Sequence, residues 1–170
     1  MSRVGGAAQI KAMKTAVGTL KGDLAQFREL EAFASMGSEL DAVSQATLDR
    51  GYRLTELLKQ GLNSPLPVEA QVVVIYAGTQ GYLDPVAVTD VKRYETDLID
   101  FLRARHSGLM SSIVDTGKLD EDALKAALAD FANEFGALAD SEPRVPTVDA
   151  VRPPAEAAAG GTDQSNPAGQ

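Results

Sequence analysis

The sequence predicts an all-α fold, a multi-helix bundle of about six helices followed by a disordered C-terminal tail. Three observations carry that reading. Apolar side chains recur at alternating spacings of three and four, glycine and proline stand where helices would stop, and the chain changes character beyond Asp140. The last thirty residues hold five of the eight prolines and no aromatic residue, so they offer too little apolar surface to offset the entropy of ordering.

The first helix is written by Ile10, Met13, Val17, Leu20, Leu24, Phe27, Leu30 and Ala34, which fall on one stripe. At about 1.5 to 3 kcal/mol for each buried side chain, the stripe would supply well over ~10 kcal/mol of gross driving force before entropy is subtracted. Such a helix needs a groove to lie in. Gly18 and Gly22 each cost roughly 0.8 to 1 kcal/mol relative to alanine, so either another backbone comes close there or the helix is locally weakened. Gly37 is a stop signal, a tight turn is expected over Met36 to Leu40, and Ser38 with Asp41 reads as a capping pair for the next helix.

The second helix is expected from Ala42 to Gln60 on Val43, Leu48, Tyr52, Leu54, Leu57 and Leu58, with a kink at Gly51 and a stop at Gly61. Pro65 and Pro67 break the chain, because neither can sit inside a helix, and a third helix should start near Pro67. Its Val72, Val73, Val74, Ile75 and Tyr76 would also suit a buried strand; the lack of an evident partner strand favours helix. Gly78 to Gly81 reads as a loop and Asp84-Pro85 as a turn. Thr89 reads as the cap of a helix whose inner face is Val91, Tyr94, Leu98, Phe101 and Leu102. A short helix from Ser107 to Thr116 ends at Gly117. A last one runs from about Asp120 through Leu124, Leu128, Phe131 and Phe135.

The composition excludes several function classes. A net charge of −8 opposes adsorption to nucleic acid or anionic lipid. With no cysteine and His106 as the single histidine, thiolate catalysis, disulfide frameworks and Cys/His metal sites fall away. His106 follows Arg103 and Arg105 at a helix end that favours cations, and Asp120, Glu121 and Asp122 sit at a helix start that favours anions. The nearest approach to a phosphate-cradling loop is Gly117-Lys118-Leu119, with Ser112 in place of the first glycine and Leu119 in place of the magnesium-binding hydroxyl. No metal site and no self-contained active site are expected. No apolar run approaches the ~20 residues of a membrane span and no secretion signal is evident, which predicts a cytosolic setting without direct membrane insertion.

Particular blocks of sequence add to this. Ser2-Arg3-Val4-Gly5-Gly6-Ala7-Ala8-Gln9, Gly18-Thr19-Leu20-Lys21, Asp23 to Leu30, Leu54-Thr55-Glu56-Leu57-Leu58-Lys59-Gln60, Ser64 to Glu69 and Ile75-Tyr76-Ala77-Gly78 follow one another in an order that resembles the C-terminal region of ATP synthase alpha subunits. The resemblance is dense to Leu83 and thinner to about Phe135. It implies that residues 1–6 are a remnant of a nucleotide-binding domain, residues 7–138 a helical C-terminal domain, and residues 139–170 a tail outside the likeness.

The implied function is that of a piece of the catalytic head that couples proton-driven rotation of a central shaft to ATP synthesis in neighbouring beta subunits. Beta and gamma subunits are then the partners, the cytoplasmic face of the cell membrane the location, and turnover by the chain alone is not expected. The resemblance makes Arg3 an arginine finger donated to a beta subunit's catalytic site, where a planar, permanently charged guanidinium meets phosphate oxygens. It places Gln60 near the adenine of a non-catalytic nucleotide, although Leu62 stands where the family usually has a second glutamine. It turns the loop of Ser38, Glu39 and Asp41 toward the shaft. ATP and magnesium belong to the full-length family; this chain alone, lacking a phosphate loop, is expected to bind no cofactor. The other reading is a free helical adaptor that docks a partner through the stripe of its first helix.

Overall fold

A computed structural model describes residues 3–37 and 39–139, the side chains of Arg3, Val4 and residues 137–139 excepted. Its described residues form eight α-helices and one 3-10 turn, and no strand. The helices are α1 (Arg3–Ala8), α2 (Lys11–Ala16), α3 (Leu20–Ser35), α4 (Ala42–Leu57), α5 (Val68–Thr79), α6 (Val91–Arg105), α7 (Ser107–Thr116) and α8 (Glu121–Ala139). The expected tail lies outside the described residues.

The long first helix is the main correction. In place of one rod the chain makes α2 and α3, separated by a turn at Val17, Gly18 and Thr19. In a continuous helix the Ala16 carbonyl would accept from the Leu20 N–H. Here the Thr79 hydroxyl donates to it at 3.1 Å, and the Leu20 N–H turns to the Val17 carbonyl. The other end of α2 is held as well, because the Ala12 N–H donates to the Gly117 carbonyl at 2.9 Å. α2 is thus clamped against α5 and α7, and Gly18 marks where the axis changes. Gly22 has no neighbour that a side chain would meet, so it is an open site and not a close backbone approach. With the short α1 added at the front, this break raises the expected six helices to eight.

α5 lies at the centre, with α2, α4, α6 and α7 packed around it. Ala70, Val72, Val73, Val74, Tyr76, Ala77, Gly78 and Thr79 are all buried, which resolves the helix-or-strand ambiguity. A helix covered on every side is apolar on every side, and burial outweighs the few tenths of a kcal/mol per residue by which valine disfavours helix. Pro67 precedes it in extended conformation, as its fixed ring requires.

α6 presents the expected inner face, with Val91, Tyr94, Leu98, Phe101 and Leu102 buried, and α8 packs against it through Phe131 and Phe135. Tyr94 meets both phenylalanines edge to face, its ring centroid 5.1 Å from each. α7 ends at Thr116 because Gly117 takes φ +66, where the left-handed region favours glycine.

Two local expectations fail for one reason. Gly51 does not kink α4, and Gly78 does not open a loop: both are helical and both make room for a neighbour. A side chain at Gly51 would collide with the Phe27 ring of α3, and one at Gly78 would come within 2.8 Å of Leu57. The turn after α5 falls instead at Gln80 and Gly81, where φ is +84. Thr89 is not a cap; it lies inside the 3-10 turn Val88–Asp90 that leads into α6. α4 also ends at Leu57 and not at Gln60.

Candidate functional site

The functional candidates lie along the α3–α4 hairpin, at its two ends and at the chain's start. α3 packs mainly on α4, with Phe27 seated over Gly51 and edge to face with Tyr52 at 5.0 Å between centroids. Phe27 is the single buried residue of this sixteen-residue helix. Val17, Leu20, Leu24 and Leu30 of the predicted stripe are half-buried, and the first three, with Lys21 and Arg28, frame an open trough along α3. The driving force expected of full burial is therefore not realised within the chain. The stripe is left partly open to solvent along this trough.

At the hairpin tip, Gly37 takes φ +79 and turns the chain as predicted. Ser38, expected in a capping pair and in a shaft-facing loop, lies outside the described residues. Asp41 caps α4 by itself: its carboxylate accepts from the Ser44 N–H at 2.7 Å. That bond, chiefly, holds the carboxyl below the ordinary aspartate range. Glu39 and Asp41 are both exposed, so the tip presents two carboxylates to solvent beside the exposed Phe33, Met36 and Val43.

At the opposite end of α4, Gln60 follows the last helical turn and is exposed, and Leu62 nearby is 94% exposed. The chain has no glycine-rich phosphate loop, and no cluster of three or more metal-ligating side chains exists among the described residues. Gln60 presents its amide to solvent, with hydrogen-bond donors and an acceptor on one side chain.

Arg3 opens α1, but its side chain lies outside the described residues. Gly5 to Gln9 are exposed, and a side chain added at Gly5 or Gly6 would touch nothing. Arg3 therefore begins a short arm that this chain leaves uncovered.

Sequence reasoning missed the polar ties that brace the hairpin. Arg50 donates through Nε to Asp84 Oδ1 at 3.0 Å and pairs through Nη2 with the other carboxylate oxygen, and that hydrogen bond holds the guanidinium above its ordinary range. Arg53 Nε donates to the Val86 carbonyl at 2.6 Å. Lys92 reaches from α6 to the end of α4, where its Nζ donates to the carbonyls of Leu57, at 3.1 Å, and of Lys59. The partners stand more than thirty positions apart in sequence, and no local pattern could have paired them.

Residues 9–135 match the family model of the ATP synthase alpha/beta chain, C terminal domain. The chain belongs to this family. It is 55% identical over 138 residues to ATP synthase subunit alpha of Acidothermus cellulolyticus, which covers 79% of this chain and 25% of that protein. It is 57% identical over 135 residues to ATP synthase subunit alpha of Mycobacterium marinum, covering 79% of this chain and 24% of the relative. For ATP synthase subunit alpha of Lactiplantibacillus plantarum the identity is 54% over 136 residues, with 79% and 27% covered. The chain thus spans about a quarter of the length of these relatives. The matched region runs from the residue before Ile10 to Phe135 in α8, so the clamped core and the uncovered hairpin both lie within it.

Proposed function

We propose that this chain is the helical C-terminal part of an ATP synthase alpha subunit and acts as a docking platform in the catalytic head. There it couples rotation of the central shaft to ATP synthesis in neighbouring beta subunits and has no turnover of its own. The observation that carries this reading is the unbroken family match over residues 9–135 in a domain whose α3 stripe, Phe27 apart, is only partly covered within the chain. Beta and gamma subunits supply that cover and the surroundings of the hairpin tip. No described helix is long and apolar enough to cross a membrane, in keeping with a peripheral place at the cytoplasmic face.

In this reading Arg3, at the head of the exposed arm, is the guanidinium lent to a beta subunit's site. Glu39 and Asp41, with Ser38 between Gly37 and Glu39, face the shaft. Gln60 contacts the adenine of a nucleotide whose phosphates are held elsewhere.

The test is reconstitution with beta and gamma subunits of an alpha subunit that ends in this chain. Changing Arg3 to alanine should leave assembly intact and lower ATP turnover by a factor on the order of 10³ to 10⁵. Unchanged turnover in an intact assembly would end the catalytic part of the proposal. The half-exposed stripe of α3 also suits a free adaptor. That second reading takes over if the chain, joined to its nucleotide-binding domain, fails to assemble with beta and gamma at all.

A further inference from the structure

We propose that Lys92 is the positioning residue for the segment that carries Gln60, which it holds by capping the C-terminus of α4 across the domain. The inference rests on the reading of Gln60 as a nucleotide contact for its consequence, though not for its geometry. α4 ends at Leu57, and like any helix it leaves its last carbonyls without intrahelical partners. The Leu54 and Glu56 carbonyls are taken locally, by the N–H groups of Leu58 and Lys59. The Leu57 and Lys59 carbonyls point the other way, and both accept from the Lys92 ammonium.

The ammonium is held by a third acceptor. Glu95, one turn further along α6 and only 7% exposed, accepts from Lys92 at 2.7 Å. A carboxylate so placed requires a cation, and the negative end of the α4 dipole requires one too. One ammonium serves both, and its three donors match the three acceptors. The result is a cross-link from the rigid α6, through Lys92, to the carbonyl immediately before Gln60. The segment between Leu58 and Pro65 is otherwise exposed and loosely held, with Ser64 N–H to Gly61 O, at 3.2 Å, as its internal turn bond. Gln60 is thereby fixed at its root while its side chain stays free to meet a ligand.

Two measurements on two proteins decide the matter. In the 170-residue chain, Lys92→Met keeps the aliphatic stem and removes the donors, and amide exchange at Leu58 and Lys59 should rise about tenfold while α5 and α8 amides keep their protection. Lys92→Arg should restore most of it. Unchanged exchange at Leu58 and Lys59 in Lys92→Met, or a uniform rise across all helices, overturns the proposal. In the assembled alpha, beta and gamma complex, Lys92→Met should weaken ATP binding at the site next to Gln60 in the same direction as Gln60→Ala. If Gln60→Ala weakens ATP binding and Lys92→Met does not, positioning by Lys92 fails. If Gln60→Ala itself leaves binding unchanged, the nucleotide reading of Gln60 fails, and the exchange measurement alone decides for or against the Lys92 cap.

Discussion

α3 is written with a recurring apolar stripe and α5 with a near-continuous apolar run, and α5 buries eight of its twelve residues where α3 buries one of its sixteen. α5 is enclosed by four helices of its own chain, whereas α3 has α4 on one flank and a half-exposed stripe on the other. The difference teaches that an amphipathic stripe specifies the need for a groove, not its source. Half of this molecule satisfies that need internally, and the other half leaves it partly unmet.

The sharpest way to break this comparison is to truncate one leucine in each half. Leu98 on α6 is fully buried, so Leu98→Ala should destabilise the isolated chain by about 2 to 5 kcal/mol through lost transfer energy and a residual cavity. Leu24 on α3 is half-buried beside an open trough, and Leu24→Ala should cost less than Leu98→Ala, about 1 to 2 kcal/mol, because part of its area is already accessible to water and no closed cavity is left. Urea unfolding of both variants measures the two numbers. Equal costs would mean that α3 is covered in solution and that its open face is no docking surface.

A smaller effect, distinguished by its sign, separates two glycines. Alanine at either helical position gains about 1 kcal/mol of helix propensity. At Gly22 nothing opposes the gain, and Gly22→Ala should stabilise by up to that amount. At Gly51 the new methyl meets the root of the Phe27 side chain, including its Cβ and Cγ, which cannot swing away without shifting α3. Overpacking of this kind costs about 1 to 3 kcal/mol, so Gly51→Ala should be net destabilising, with amide protection lost along α3 and kept along α5. Stabilisation by both substitutions would show that Phe27 does not lock the hairpin.

The same residues explain what could be read in advance. The face of α6 and the extent of α7 were legible because each depends on neighbours three or four positions away. Gly51 and Gly78 misled because a glycine used for close approach is spelled like a glycine used as a stop, and the distinction lies with Phe27 and Leu57, far along the chain. The break after Ala16 was hidden for a related reason: the hydroxyl that takes its carbonyl belongs to Thr79. Roles for Arg3, Gln60 and the Ser38–Asp41 loop are suggested only by resemblance. Beyond the capping pattern at Ser38 and Asp41, nothing in their periodicity or charge marks them.

A further expected effect concerns pH, and it sits wholly in the closed half. The Tyr76 hydroxyl donates to Glu121 Oε2 at 3.2 Å, joining α5 to the start of α8. Burial first, then this bond to a carboxylate, pushes its pKa up to about 12 from an ordinary value of 10. A group whose folded pKa is raised stabilises the fold fully while it is protonated in both states, here below about pH 10, and loses that contribution as pH rises through the folded value. Unfolding midpoints in urea should therefore hold level up to about pH 10 and decline toward pH 12. Burial also raises the pKa of Tyr94, between Phe131 and Phe135, so it adds to the decline. Tyr76→Phe should flatten the decline, and adding Tyr94→Phe should flatten it further, since each removes one proton from the difference between the folded and unfolded states. A decline of unaltered slope in the double variant would place the alkaline sensitivity outside the α5–α6–α8 core and weaken the claim that this half is the enclosed one.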